Sequence, residues 1–281
     1  MKKGINQWCY PSGTPLSNVL SWTKEAGFDA IELNVGKAGD IGLTMDTTPA
    51  EAQEIKTQIL KAGLTIESLS TALLWEYPLS SNIAEEREKG KHIVKKMLEL
   101  AAAMELDAVL VVPGVVTPDV AYDACYQDSL QAIKDLAPYA EQLNVKIAIE
   151  NVWNQFLLSP IEMAAYIDDA NSEFVGAYFD VGNVLQFGYP EQWIRILGPR
   201  IVKVHVKDFN KSAGNMTGFT NLLAGDVNWK AVMSELRNID YSGALTAELT
   251  AYKSSPSALA HDTAGHLDLL LSMQSSPAAR N

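Results

Sequence analysis

The sequence predicts a single α/β domain, a (β/α)8 TIM barrel that spans residues 1–281. Short apolar runs alternate with amphipathic stretches of helical period along the whole chain, which indicates strands and helices in turn. Eight such units are the number that closes a parallel barrel, and about 250 residues is a usual length for one. No linker or shift in composition divides the chain into separate domains.

The predicted strands are short and rich in β-branched residues, as buried parallel strands usually are. They cover residues 4–9, 30–35, 65–70, 108–112, 146–151, 176–180, 201–206 and 244–249. The predicted helices cover residues 16–26, 49–62, 84–104, 120–142, 160–168, 190–197, 229–236 and 257–273. Thr48, Ser159 and Asn228 precede three of these helices as capping residues. Gly27 and Gly63 follow the first two helices, where a left-handed residue often ends a helix.

The alternative architecture is an open, doubly wound sheet. That fold carries a glycine-rich phosphate-binding loop after its first strand. Residues 10–15 read Tyr-Pro-Ser-Gly-Thr-Pro, which lacks the required glycine spacing. The barrel is therefore the predicted fold, and its ligands are expected at the carboxyl ends of the strands.

Composition argues against several classes of protein. The net charge of −12 disfavours nucleic acid as a partner, because phosphate binding requires a surplus of Lys and Arg. Cys9 and Cys125 lie outside any metal-type spacing and are expected to be reduced thiols. The first residues lack the apolar segment of a secretory signal, and no run approaches the roughly 18 apolar residues of a membrane span. We therefore expect a cytoplasmic protein without a membrane partner.

Acidic or imidazole side chains occur near the carboxyl ends of four predicted strands in the second half of the chain. They are Glu150, Asp180, His205 and Glu248. A charged group beside buried apolar residues is unfavourable unless it is paired or binds a metal. Three carboxylates and one imidazole suit one divalent cation such as Mn²⁺, Co²⁺, Zn²⁺ or Mg²⁺. The repeated placement therefore predicts a metal site at the mouth of the barrel.

Each of these residues also has a structural interpretation when it is taken alone. Asp180 could cap the turn that follows it, and a lone strand histidine is usually a satisfied core residue. However, His205 shares one face of its strand with Lys203 and Lys207. Three polar side chains facing the barrel interior need counter-charges, which the carboxylates would supply.

Aromatic side chains follow several of the predicted strands: Trp8, Trp75, Tyr77, Trp153 and Phe187. Such rings often stack on the apolar faces of sugars, although ordinary loop packing explains any one of them about as well. Trp153, close to Glu150, is the best of these candidates. Glu32 and Glu67, on the second and third strands, are weaker site candidates, because either could balance a lysine inside the barrel.

Four motifs of the chain resemble the metal-ligand motifs of the xylose-isomerase-like barrel superfamily. They are Ile149-Glu-Asn-Val-Trp-Asn154, Phe179-Asp-Val-Gly-Asn183, Val204-His-Val-Lys-Asp208 and Ala247-Glu248. The resemblance covers nearly the whole chain and is closest to the ketose and pentulose-5-phosphate 3-epimerases. It implies an isomerase of carbohydrate metabolism that acts on a small-molecule sugar or sugar phosphate. Members of this group are often homodimers or homotetramers.

The resemblance also implies roles for the four residues. Glu150 and Glu248 would bind the metal and flank carbon 3 of a ketose or ketopentose phosphate on opposite faces. One glutamate would remove the C3 proton to give a metal-stabilised cis-enediolate, and the other would return a proton to the opposite face. Asp180 and His205 would be metal ligands only.

One position departs from the pattern of the free-sugar 3-epimerases, which usually carry a histidine where this chain has Asn183. The departure favours a phosphorylated or otherwise acidic substrate. Lys207, Lys211 and the loop at residues 224–226 are candidates for binding a phosphate. The full set of candidate substrate-binding residues is Trp8, Glu67, Trp153, Asn183, Lys207 and Lys211.

Other reactions remain open on the same predicted site. Hydroxypyruvate isomerase uses a related pair of glutamates, and an inosose-type dehydratase would expel a hydroxyl from the same enolate. The metal-dependent endonuclease of this superfamily fits poorly, because its trinuclear zinc site needs more than the four histidines of this chain. A non-enzymatic sugar sensor is disfavoured by the intact set of four ligands.

Overall fold

The structure is a computed structural model that describes residues 1–273, and its strands form a closed parallel barrel. The strands are β1 (Lys2–Asn6), β2 (Ala30–Asn34), β3 (Thr65–Ser70), β4 (Ala108–Val111), β5 (Lys146–Glu150), β6 (Val175–Asp180), β7 (Ile201–Val206), β8 (Asp208–Phe209), β9 (Phe219–Thr220) and β10 (Ala244–Ala247). The order around the barrel is β1-β10-β7-β6-β5-β4-β3-β2, while β8 and β9 form a separate antiparallel pair. The predicted TIM barrel is confirmed. Its extension to residue 281 stays a prediction, because residues 274–281 lie outside the described residues.

Helices surround the barrel and connect its strands. They are α1 (Leu16–Glu25), α2 (Pro49–Lys61), α3 (Leu73–Glu76), α4 (Ala84–Ala103), α5 (Tyr122–Leu143), α6 (Pro160–Asp169), α7 (Pro190–Leu197), α8 (Trp229–Asn238) and α9 (Pro256–Ser272). Thr48, Ser159 and Asn228 cap α2, α6 and α8 through their side chains, as predicted. Gly27 and Gly63 have φ values of +87° and +76°, the left-handed conformation predicted after α1 and α2.

The local structure differs from the sequence prediction in several places. The first strand ends at Asn6 instead of continuing to residue 9, because the Asn6 side chain accepts a hydrogen bond from the Trp8 amide and turns the chain. The last strand ends at Ala247, so that Glu248 lies just beyond it. The short helix α3 and the β8–β9 pair were not predicted, since segments of two to four residues carry no measurable periodicity.

The apolar core lies between the strands and the helices around them. It includes fully buried side chains from four neighbouring strands, namely Ile31, Leu69, Val109 and Ile147. Side chains inside the barrel are largely polar by contrast, and they form ion pairs and hydrogen bonds with one another. The structure thus leaves a buried polar interior that opens at the carboxyl ends of the strands.

None of the helices within residues 1–273 is both long enough and apolar enough to cross a membrane.

Candidate active site

The four predicted metal ligands meet at the carboxyl-terminal mouth of the barrel. Glu150 and Asp180 are the last residues of β5 and β6, His205 lies in β7, and Glu248 follows β10. Because these four strands are consecutive in the barrel, the side chains form a continuous arc. One ligand atom from each residue lies within 4.8 Å of the other three. The structure therefore brings together the whole set that the sequence predicted.

His205 presents its Nδ1 atom to the three carboxylates. This nitrogen lies 3.1 Å from an oxygen of Glu150, 3.7 Å from Glu248 and 4.0 Å from Asp180. The opposite ring nitrogen, Nε2, lies 2.6 Å from a carboxylate oxygen of Glu32. Asp180 and His205 are fully buried, and Glu150 is nearly so. Nδ1 is accordingly the His205 atom that could bind a cation held by the carboxylates.

The donor set fits a divalent cation. Three carboxylates and an imidazole nitrogen are ligands that Mn²⁺, Co²⁺ and Zn²⁺ accept, and the carboxylates also suit Mg²⁺. Asp180 Oδ2 is buried and accepts no well-directed hydrogen bond. It does lie 2.8 Å from Lys207 Nζ, so its contact with that ammonium is ionic but poorly oriented. A buried carboxylate oxygen without a well-directed hydrogen bond is available to bind a metal ion.

The two glutamates differ in their preferred protonation states. Burial raises the pKa of Glu150 to about 7, against the lowering effect of its hydrogen bond with His205, and the charge of Glu248 adds to the rise. Burial also disfavours the Glu248 carboxylate, but the charges of Lys207 and His205 outweigh it and lower the Glu248 pKa. The site therefore holds one glutamate that protonates near neutrality and one that stays ionised.

The basic groups of the site are stabilised in their charged forms. Burial disfavours the imidazolium of His205, but the charges of Glu32 and Glu248 outweigh it and raise the His205 pKa well above its usual value. Burial likewise opposes the charge of Lys207, and the charges of Asp180 and Glu248 raise the pKa of this lysine. Uptake of a cation by this cluster must therefore displace protons.

Lys207 links the ligand cluster to the pocket above it. Its ammonium group forms ion pairs with Asp180 and Glu248, and it lies 5.4 Å from the centre of the Phe219 ring. Gly182 permits this arrangement, because a Cβ atom there would lie 2.8 Å from the Lys207 backbone oxygen. The turn after β6 can thus pack directly against the end of β7.

A cleft of about 850 Å³ opens above the ligand cluster. Glu150, Glu248 and four predicted substrate-binding residues line it, namely Trp8, Trp153, Asn183 and Lys207. The Trp153 indole donates a hydrogen bond to the Asn183 carbonyl oxygen at 2.8 Å and packs against Phe209 and Phe219. Its ring is therefore held in place by packing and also forms part of the cleft wall.

The sequence does not identify several residues that line the cleft. Trp75, one of the aromatic candidates, lies there, and so do Thr71, Met216, Phe219, Thr220, Asn221 and Thr250, for which the sequence gives no indication. Phe219 and Thr220 lie on the unpredicted β8–β9 pair, so no strand pattern pointed to them. The only available signal was their position between the seventh and eighth predicted barrel strands, in a loop expected at the mouth of the barrel.

Two predicted substrate-binding residues are not brought to the cleft. Glu67 lies near the amino-terminal end of the barrel, 3.5 Å from Lys203 and 3.6 Å from Lys2, so it balances barrel lysines. Lys211 is exposed, and its ammonium lies 5.3 Å from the centre of the Tyr189 ring. The Lys211 amide donates a hydrogen bond to the Asp226 carboxylate at 2.8 Å, and Lys211 is not among the residues that line the cleft.

Comparisons with known proteins agree with this architecture. The sequence model of a family described as "Xylose isomerase-like TIM barrel" matches residues 20–270. The L-ribulose-5-phosphate 3-epimerase UlaE of Salmonella heidelberg is 23% identical over 88% of this chain and 86% of its own length.

Solved structures share the fold at lower sequence identity. A D-psicose 3-epimerase from Clostridium cellulolyticum H10, solved with D-tagatose, has a TM-score of 0.79 at 15% identity and covers 98% of this chain and 100% of its own. A D-psicose 3-epimerase solved in the presence of D-fructose has a TM-score of 0.78 at 18% identity, covering 96% of this chain and 98% of its own.

Proposed function

The chain belongs to the xylose isomerase-like TIM barrel family, as its four motifs predicted, and on this basis we propose that it is a divalent-metal-dependent sugar or sugar-phosphate epimerase. Its reaction would be the 3-epimerisation of a ketopentose phosphate or a ketose, which makes it an isomerase. The observation that carries this proposal is the pair of glutamates that lines the cleft at the two ends of a metal-ligand arc.

The positions of these glutamates suit proton transfer on two faces of one carbon atom. Glu150 ends β5 and Glu248 follows β10, with β6 and β7 between them in the barrel. A substrate seated between the two carboxylates would have one on either side. The surroundings raise the pKa of Glu150 and lower that of Glu248. Glu248 is therefore suited to accept a proton and Glu150 to donate one.

The four residues have different roles in the proposed reaction. A divalent cation held by the four ligands would supply Lewis-acid polarisation of the substrate's C2 carbonyl. Glu248, ionised, accepts the C3 proton from one face, and the sugar becomes its cis-enediolate. Glu150 would bind the cation through one carboxylate oxygen and donate a proton to the other face from its second oxygen; burial, which raises its pKa, favours this protonated form. The roles exchange in the reverse direction, and Asp180 and His205 serve as ligands only.

The cleft wall supports a sugar substrate. Trp8 and Trp153 offer aromatic surface for the apolar face of a sugar, while Asn183 and Lys207 offer hydrogen-bond donors to its oxygens. The names of the relatives also support 3-epimerisation. One of them names a ketose phosphate, and the two solved structures name a free ketose. The choice between a ketose and its phosphate is therefore part of the test.

Turnover of a panel of ketoses and ketose phosphates by Glu150→Gln and Glu248→Gln tests the proposal. Each substitution keeps the size of the side chain but removes its ability to transfer a proton. We therefore expect turnover to fall by about 10²- to 10⁴-fold with an unchanged circular dichroism spectrum. Glu67→Gln is the matched control, because Glu67 is also a buried barrel glutamate but lies outside the cleft. Wild-type turnover by Glu248→Gln, or turnover that survives complete chelation of metal, would contradict the proposal.

A further inference from the structure

We propose that Glu32 is a positioning residue of the metal centre. Its carboxylate would hold the proton of His205 on Nε2 and so aim the Nδ1 lone pair at the cation. The inference rests on the proposed function, because it takes the four-residue cluster to be a metal site. Glu32 is not among the residues that line the cleft or among the four predicted metal ligands.

The contact between Glu32 and His205 joins strands from different parts of the barrel. Glu32 lies on β2 and His205 on β7, and their residues are 173 positions apart in the chain. Oε2 of Glu32 lies 2.6 Å from Nε2 of His205, and both side chains are fully buried. A short hydrogen bond between a carboxylate and a ring N–H in a dry interior belongs to the strong class.

The other contacts of Glu32 also come from donors. Asn6 Nδ2 donates to Oε2 at 2.6 Å, and the Ser68 hydroxyl donates to Oε1 at 3.1 Å. Within residues 1–273, no lysine or arginine forms an ion pair with Glu32. A buried carboxylate is unfavourable for stability unless a charged or polar partner stabilises it, and His205 is the one titratable partner among the groups that donate to Glu32. The arrangement is therefore explained by what the carboxylate does for His205.

The orientation of the His205 ring is fixed on every side. Tyr178 packs against the ring with centroids 4.4 Å apart, and the Tyr178 hydroxyl is itself hydrogen bonded to Ser68. With Nε2 committed to Glu32, only Nδ1 remains to face Glu150 and the other carboxylates. A carboxylate behind a histidine ligand selects its tautomer and raises its basicity, which is how such a residue supports metal affinity.

The same network reaches the wall of the cleft. Asn6, which donates to Glu32, accepts a hydrogen bond from the Trp8 amide at 2.7 Å through its Oδ1 atom. Asn34 donates to that same oxygen at 3.2 Å. Glu32 thus anchors a chain of hydrogen bonds that runs from the buried His205, the predicted metal ligand, to the partly exposed aromatic residue Trp8. The Glu32 side chain is held by residues of the barrel and does not depend on a bound substrate.

Mn²⁺ affinity of the full-length protein, measured by competition with a chelating dye, tests the inference. Glu32→Leu removes the acceptor, so we expect the dissociation constant to rise by about 10- to 100-fold. Glu32→Gln can still accept from His205 and Asn6 while donating to Ser68, so it should retain most of the affinity. Glu67→Gln, the matched control, should bind Mn²⁺ as the wild type does.

Wild-type affinity in Glu32→Leu would overturn the inference. Should Glu32→Leu fail to fold, nitrogen-15 NMR of the imidazoles in the zinc-loaded wild-type protein decides. A His205 proton on Nε2 with Nδ1 bound to zinc is the expected result, and the reverse arrangement overturns the inference. If the wild type binds no divalent metal, the proposed function fails as well. If the wild type binds metal and Glu32→Leu binds it equally well, only the inference about Glu32 fails.

Discussion

Glu150 carries the most unusual proton equilibrium among the carboxylates of the site. Burial raises its pKa to about 7, whereas the pKa of Glu248 is lowered by Lys207 and His205. A group that titrates near neutrality can exchange a proton in both directions under physiological conditions. The same equilibrium makes the binding of a cation sensitive to pH, because protons compete with the cation for the carboxylate of Glu150 and for Nδ1 of His205.

Metal uptake by the metal-free protein should therefore weaken in acid. A raised pKa means that Glu150 holds its proton up to about pH 7, and the raised pKa of His205 adds to the competition between protons and the cation. We expect Mn²⁺ affinity to fall by roughly tenfold per pH unit for each proton displaced. Calorimetric titration at about pH 6 and about pH 8, in buffers with different ionisation enthalpies, measures both the affinity and the protons released. Equal affinities at the two pH values, with no proton release, would contradict this expectation.

The metal ligands could be predicted from the sequence, and their supporting residue could not. Glu150 and Glu248 stand at the ends of apolar strands, where any polar residue of a barrel faces the ligand site. Glu32 also lies on a strand, but its value depends on contact with His205 across the barrel, and one sequence gives no sign of that pairing. Glu67 has the same local pattern as Glu32 and proves to balance Lys203 and Lys2.

Among the structural elements, the β8–β9 pair shapes the cleft most directly. It carries Phe219 and Thr220 into the cleft wall, and the buried carboxylate of Asp208 anchors it. Oδ1 of Asp208 accepts hydrogen bonds from the amides of Phe209 and Val227, and Oδ2 accepts one from the Trp229 indole. One side chain thereby ties the loop after β7 to the start of α8.

Asp208→Asn should weaken this attachment. Asparagine has an amide group in place of one carboxylate oxygen. Its N–H groups would face a donor that Asp208 satisfies, so that the hydrogen bond to this donor would be lost. We expect the free energy of unfolding in urea to fall by about 1–3 kcal/mol, the usual effect of leaving a buried donor unsatisfied. Asp226→Asn is the control, because the exposed Asp226 accepts one hydrogen bond in the same loop. An equal loss of stability in the two variants would show that the buried contacts of Asp208 are not what matters.

Periodic elements were predictable, while the short ones were not. The limits of α7 were predicted to the residue, since Pro190 begins the helix and Gly198 follows its end. The pair β8–β9 has two residues in each strand, and it forms because Asp208 and the neighbouring aromatic rings hold it together. Such elements depend on tertiary contacts, so the local sequence contains no pattern for them.

In the whole molecule, β7 and the residue that follows it place basic groups at successive heights inside the barrel, and each is matched by acidic partners. Lys203 pairs with Glu67, His205 with Glu32 and Glu150, and Lys207 with Asp180. The sequence predicted this alternation of inward-facing groups on one strand. Assembly as a homodimer or homotetramer, a cytoplasmic location and the lack of a nucleic-acid partner stay predictions.

Proton NMR of the reaction in deuterated water would show directly whether two glutamates act on opposite faces of one sugar carbon. Ketoses and ketose phosphates would be incubated with the Mn²⁺-loaded protein, the metal removed by chelation at early times, and both epimers examined. We expect the product to carry deuterium at C3 while the unreacted substrate keeps its original proton, because separate groups remove and return the proton. Exchange at C1 or loss of water would indicate one of the other reactions, and a product that keeps its original C3 proton would contradict the account.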